Sequence, residues 1–170
     1  MIMAFIRTKQ IKGKHYAYLI ENKWTPQGPR QGSTKYLGRV IFMQKVRDLP
    51  FSTQFPHYQP NEKSKIELLS AVITTNLLEY GFVCKKQVLK KGDILFDPAA
   101  MILQKKNKKV IALGINEGIL CANTIARILA YLKSEDDTGY LLAKYCVEAG
   151  LTVPKDIFVA LYEASCAPSG

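Results

Sequence analysis

Between Phe5 and Phe42 the chain reads FIRTKQIKGKHYAYLIENKWTPQGPRQGSTKYLGRVIF, and cations there are interleaved with aromatic residues. Arg7, Lys9, Lys12, Lys14, Lys23, Arg30, Lys35 and Arg39 supply positive charge, and Tyr16, Tyr18, Trp24 and Tyr36 supply flat π surfaces. Cations of this kind neutralise phosphates and release condensed counterions, which gives affinity without sequence preference. Aromatic rings that face outward stack unpaired bases, whereas rings that face inward pack the core of a small sheet. Both orientations are open from the sequence; Tyr18 and Trp24 are the stacking candidates. A second group of lysines, Lys85, Lys86, Lys105, Lys106, Lys108 and Lys109, with Lys90 and Lys91 between, is either a further polyanion surface or edge protection at hairpin turns.

Other chemistry fares less well. Asp93 and Asp97, four apart in GDILFDP, could share a magnesium ion, but carboxylates beside glycine and proline more often form turns. His15 and His57 have no neighbouring nucleophile or ligand. Cys84, Cys121, Cys146 and Cys166 are irregularly spaced without a CxxC pair, which argues against zinc and for reduced, mostly buried thiols. The GPRQGSTK run at 28–35 puts its lysine after the hydroxyl residues and a proline in the loop, so it cannot cradle a phosphate as a Walker loop does. No catalytic residue, metal site or cofactor is expected.

Charge supports a polyanion partner. The 170 residues carry a formal net charge of +10, distributed unevenly. Residues 1–48 hold ten Lys/Arg against Glu21 and Asp48, residues 85–110 hold eight lysines against Asp93 and Asp97, and residues 111–170 hold four cations against seven acids. A basic surface raises the local concentration of polyanions, and an acidic end suits a protein partner or a second copy. Arg7 and Lys9 interrupt the first apolar run too early for a signal peptide, and no stretch approaches membrane-span length, so a cytoplasmic protein is expected.

These residues must be positioned by local structure. Residues 3–11, 15–22 and 34–42 alternate as strands, with a turn at Lys12-Gly13-Lys14. Tyr16, Tyr18 and Ile20 share one face of the second strand; simple alternation puts Tyr36, Val40 and Phe42 together on the third. Residues 25–32, with two prolines and two glycines, read as an irregular projecting tip, and Gly38 as a bulge or close approach. An aromatic connector at 49–60 precedes a helix capped by Asn61 and ended by Gly81, with Ile66, Leu69, Ile73, Leu77 and Tyr80 as its buried stripe. Candidate strands follow at 82–89, 94–97, 100–105 and 109–114. Helices are expected from Asn116 to about 132, over 138–149 behind a Ser134–Asp137 capping cluster, and over 154–164.

The expected fold is α+β: a basic three-stranded antiparallel meander, a linking helix, a second small β region and a C-terminal helical bundle. Its divisions are a basic β module at 1–48, a connector at 49–60, and an α+β domain at 61–170.

Residues 5–39, with FIRTKQIKGKHYAYLIEN, a Pro/Gly break and RQGSTKYLGRV, resemble the N-terminal β segment of DDE-type insertion-sequence transposases. In that family the segment precedes a large catalytic domain with spaced acidic residues, an arrangement that nothing after residue 48 matches. The resemblance therefore implies a nucleic-acid-associated module and not transposition. Taken together, the sequence points to non-catalytic nucleic-acid binding, with RNA or the ribosome ahead of DNA. A DNA-binding regulator or transposase-derived remnant, and a protein-interaction module without nucleic acid, are the alternatives.

Overall fold

A computed structural model describes residues 2–134 and 139–166. In chain order the elements are β1 (Ile2–Ile11), β2 (Lys14–Thr25), β3 (Gly28–Phe42), α1 (Phe51–Gln54), a 3-10 turn (Pro60–Glu62), α2 (Lys65–Glu79), β4 (Val83–Lys85), β5 (Val88–Lys91), β6 (Ile94–Asp97), β7 (Ile102–Lys105), β8 (Ile111–Ile115), β9 (Gly118–Cys121), α3 (Ala122–Lys133), α4 (Gly139–Glu148) and α5 (Lys155–Cys166). The class is mixed α+β, beginning with a three-stranded antiparallel meander and containing a second, four-stranded sheet β4-β5-β6-β7. The meander extends into a five-stranded sheet ordered β1-β2-β3-β8-β9, with β3 and β8 parallel.

Two extra residues in β3 decide which side chains share a face. Ala17 pairs with Gly38 while Tyr18 pairs with Tyr36, so Leu37 is bulged. That slip reverses the alternation. Val40 packs inward with Ala17, Leu19, Leu37, Ala112, Ile119 and Cys121, whereas Tyr36 joins the opposite face with Tyr18. The expected grouping of Tyr36 with Val40 and Phe42 is therefore corrected by the bulge. Gly38 makes it feasible, with φ +135° and an imagined Cβ only 3.1–3.2 Å from the backbone of Ile111.

Residues 25–32 are also more regular than their composition suggests. β2 and β3 stay paired to Thr25 and Gly28, leaving Pro26 and Gln27 as a two-residue turn. A second register slip between Glu21 and Asn22 leaves Gly32 as the extra residue. Pro29 is accommodated because β3 is an edge here, its pairing with β8 being confined to residues 39–42.

The sheet curls. Phe5, Ile6 and Thr8 of β1 line the same cleft, about 620 Å³, as Gly118 and Ile119 of β9, so the two edge strands approach one another. Small inward residues such as Ala17 and Ala112, both fully buried, permit that curvature. The larger core lies on the other side of β8, where Ile111, Leu113 and Ile115 meet α2, the small sheet and the C-terminal helices.

α2 is enclosed on most sides, with Leu68, Leu69, Val72, Ile73 and Leu77 nearly inaccessible, while Ile66 is 48% exposed and leaves the expected stripe. Its N-cap is Ser64, not Asn61. The Ser64 hydroxyl accepts from the Glu67 N–H and the Glu67 carboxylate accepts from the Ser64 N–H, a reciprocal box that Asn61 cannot form. These bonds hold the Glu67 carboxyl below its usual range. At the other end Gly81 (φ +83°) donates to the Leu78 carbonyl and Phe82 to that of Leu77, a Schellman termination.

The helix expected from Asn116 begins at Ala122 instead. Asn116 (φ +43°) and Glu117 (φ +63°) form the tight turn between β8 and β9, since asparagine suits a left-handed hairpin position as well as an N-cap. The expected strand at 82–89 is likewise split by a turn at Lys86 and Gln87, both at positive φ. The connector is pinned by Phe51, Phe55 and Tyr58, with ring centroids 5.0–5.4 Å apart, and is not fully extended, because α1 and the 3-10 turn interrupt it. In the C-terminal third, α3 packs on α4 and α5, and α5 on α2. Ser134 closes α3; residues 135–137 of the expected capping cluster lie outside the described residues.

The thiols divide by burial. Cys121 and Cys146 are buried and Cys84 is exposed, while the side chain of Cys166 lies outside the described residues. Desolvation pushes the Cys146 thiol up to about 12. A thiol reagent at pH 8 is therefore expected to modify Cys84 in the native protein and to reach Cys121 and Cys146 only on unfolding, as peptide mass spectrometry would read. Native labelling of Cys146 would contradict the packing of α4.

Candidate nucleic-acid interface

The register of the meander assembles two rows across its outer face. Lys9 lies opposite Tyr16, which lies opposite Arg39; Arg7 lies opposite Tyr18, which lies opposite Tyr36. Directly paired residues project to the same side. Three tyrosines are thus flanked by three cations on the face away from Ala17, Leu19 and Val40. Tyr36 is 49% exposed, Tyr16 and Tyr18 are partly exposed, and Arg7, Lys9 and Arg39 are exposed. Tyr36 lies 5.7 Å from Tyr18 and 6.4 Å from Tyr16 between ring centroids, and Lys9 Nζ lies 5.4 Å from the centre of Tyr18. Partial burial, then the neighbouring Tyr16 and Tyr18 phenols, raise the Tyr36 phenol above its ordinary value, so it stays neutral.

The cations of the meander are not consumed by the fold. Elsewhere they are: Lys65 donates to the Leu132 carbonyl, Arg47 to that of Leu78 and Lys91 to that of Tyr80. Arg127 is 2.6 Å from Glu148, and Lys45 bridges Asp48 and Glu79. Among the described residues, no carboxylate comes within 4.0 Å of Arg7, Lys9, Lys12, Lys14, Lys23, Arg30, Lys35 or Arg39. The meander's own acid, Glu21, instead accepts a 2.6 Å hydrogen bond from Ser33. The result is a field of one sign on an open sheet.

The eight cations do not lie on one surface. Lys14 alternates onto the tyrosine side, and Lys12 sits in the β1–β2 turn with Gly13. Lys35 pairs with Leu19 on the opposite face, and Lys23 pairs with Arg30 near the tip. Arg30 also donates to Gln27 at 3.2 Å. Trp24, 55% exposed, is paired with Pro29 beside that tip. Six strand steps separate it from Tyr18, about 20 Å at 3.3 Å per residue, so Tyr18 and Trp24 do not form one site. Tyr16 and Tyr36 are instead the aromatic neighbours on the Tyr18 face. The signal for Tyr16 was its i, i+2 spacing from Tyr18; for Tyr36 the bulge hid it.

In the small sheet, Lys85 and Lys86 stand at the β4–β5 turn, while Lys106, Lys108 and Lys109 follow β7. Lys105 is held 2.9 Å from Asp93, and this partner keeps the Asp93 carboxyl below its usual range. Asp97 accepts from the N–H groups of Ala99 and Ala100 at 3.0 and 3.1 Å, which is turn chemistry. His15 packs edge-on to Phe42, 5.0 Å between centroids. No family model, curated protein or solved structure matches this chain.

Proposed function

We propose that this chain is a non-catalytic nucleic-acid-binding protein whose basic β meander contacts phosphates, with RNA or a ribosome-associated role favoured over DNA. One observation carries the reading: the rows Lys9–Tyr16–Arg39 and Arg7–Tyr18–Tyr36 lie on one sheet face, and among the described residues no carboxylate stands within 4.0 Å of their cations. A sheet face suits irregular or single-stranded RNA better than a duplex major groove, which takes a helix or narrow ribbon. The C-terminal helix α5 carries Asp156 and Glu163 against Lys155, a poor match for phosphates. Lys85, Lys86, Lys106, Lys108 and Lys109 extend the same electrostatic attraction, and the acidic C-terminal part is the proposed contact for a protein partner or second copy. The cytoplasm is the compartment that suits this role.

The second reading is a DNA-binding regulator or transposase-derived remnant, favoured by the resemblance of residues 5–39. Anisotropy titrations of labelled single-stranded RNA, structured RNA and duplex DNA across a salt series separate the two. Three phosphate contacts on single strands contribute about 2 to the slope of log K against log salt, at ~0.7 each. The triple variant Arg7→Ala, Lys9→Ala, Arg39→Ala is expected to lose about that slope and to weaken binding roughly 10- to 100-fold at low salt. Duplex preference favours the second reading. Absence of binding at low salt would remove both and leave a protein-interaction module.

A further inference from the structure

The tyrosines of the outer face stand outside the apolar cluster of the inner face, although Ile20 beside Tyr18 is buried on their side. Leu19, Leu37, Val40, Ile119 and Cys121 fill the inner face of the curled sheet, and Ala17 and Ala112 are already fully buried there. Tyr16, Tyr18 and Tyr36 nevertheless converge on one solvent-facing patch. The ring planes are inclined by 45° and 56° to that of Tyr36, so its neighbours do not lie stacked flat upon it. Convergence depends on the Leu37 bulge, and the bulge on Gly38 lying against the Ile111 backbone. The parallel β3–β8 contact thus fixes where the Tyr36 ring points.

Resting on the nucleic-acid reading above, we infer that Tyr16, Tyr18 and Tyr36 form a base-stacking platform for unpaired nucleotides, with Arg7, Lys9 and Arg39 taking the flanking phosphates. The ligand class is single-stranded nucleic acid, bound without a hydrogen-bond code, because every base has a π face. Tyr36 is the principal ring: it is the central contact of the three and half exposed. Tyr18 already lies beneath the Lys9 ammonium, which adds a cation where backbone charge would pass. In a duplex the base faces are hidden in the stack, so the same patch discriminates against paired strands.

A cross-strand aromatic cluster also stabilises a sheet, and the test must separate that role from stacking. Three probes of one length suffice: a uridine 12-mer RNA, an abasic ribose-phosphate 12-mer, and a 12-base-pair RNA duplex, titrated onto the full chain at fixed salt. The wild type is expected to bind the uridine strand about 10- to 100-fold more tightly than the abasic strand. Tyr36→Leu is expected to cut that ratio several-fold, with Tyr16 and Tyr18 left to supply the remainder, and Tyr36→Phe to retain it. Equal affinity for uridine and abasic strands, or a ratio that Tyr36→Leu does not move, would overturn the platform and leave the phosphate reading intact. Tighter binding of the duplex would also overturn it. No binding of any probe at low salt would instead overturn the nucleic-acid reading and the platform with it.

Discussion

Gly150→Ala is expected to destabilise the protein by about 3–5 kcal/mol, a combination of a left-handed backbone and hard overpacking. Gly150 ends α4 at φ +70°, and an added Cβ would stand 2.1 Å from the carbonyl oxygen of Ile115. That oxygen belongs to β8, so relief requires two backbones to part. Gly118 presses from the same side: its imagined Cβ would meet the Gly150 nitrogen at 2.2 Å and the Val147 oxygen at 2.5 Å. Two glycines thus seat the β8–β9 hairpin against the end of α4. Gly92 is the internal control, with φ +59° and nothing within 4 Å of an added Cβ. Gly92→Ala carries the backbone penalty alone, about 1–2 kcal/mol. Urea unfolding of both variants measures the difference; equal losses would mean that the hairpin and helix are not in contact.

Asn76→Asp is the second large effect, expected at about 3–5 kcal/mol near pH 7 because it buries a charge facing carbonyl oxygens. Asn76 is 2% exposed and fully bonded. Its amide donates to Val72 O (2.9 Å) and Thr152 O (3.0 Å), and its oxygen accepts from Thr152 N–H and Asn116 Nδ2, both at 3.0 Å. Asn116 in turn donates to Gly150 O (2.9 Å) and accepts from the Tyr80 hydroxyl (2.8 Å). The network joins α2, the β8–β9 turn and the segment after α4, so one lost amide unsettles three elements. Aspartate there loses both donors and turns negative charge toward two carbonyls. Its folded pKa would rise above an unfolded value of about 3.9. The loss relative to wild type is therefore smallest below that unfolded value, grows as pH climbs toward the raised folded value, and is constant beyond it. Paired unfolding curves from pH 3 to 8 read this directly. A difference that ignores pH would show the carboxylate to be solvated.

Where the sequence misled, two structures compete for the same residues. Asn116 followed by an apolar run satisfies an N-cap and a hairpin turn equally, and the decision comes from the bonds that Tyr80, Asn76 and Gly150 offer it. Asn61 and Ser64 are both helix-starting residues, but Glu67 stands three positions after Ser64 alone. Pro26, Gly28, Pro29 and Gly32 suggest an irregular tip, yet an open sheet edge tolerates a missing N–H and a bulge. Gly38 was legible as the mark of a bulge or a close backbone approach, and it stands beside the bulge at Leu37 and in close approach to Ile111. Its consequence was not, because a one-residue slip moves Tyr36 to the other face without altering composition.

The sequence by itself determined the charge, the α+β class, the three meander strands and the cation–tyrosine interleaving, since these follow from residue types and local periodicity. Only the tertiary structure decided that β8 and β9 join the meander and that the tyrosines face outward. It also decided that Tyr36 rather than Trp24 stands beside Tyr18. The physical reason is common to all three. Strand pairing across 70 residues and the register at one bulge depend on what packs against the backbone, which local pattern does not encode.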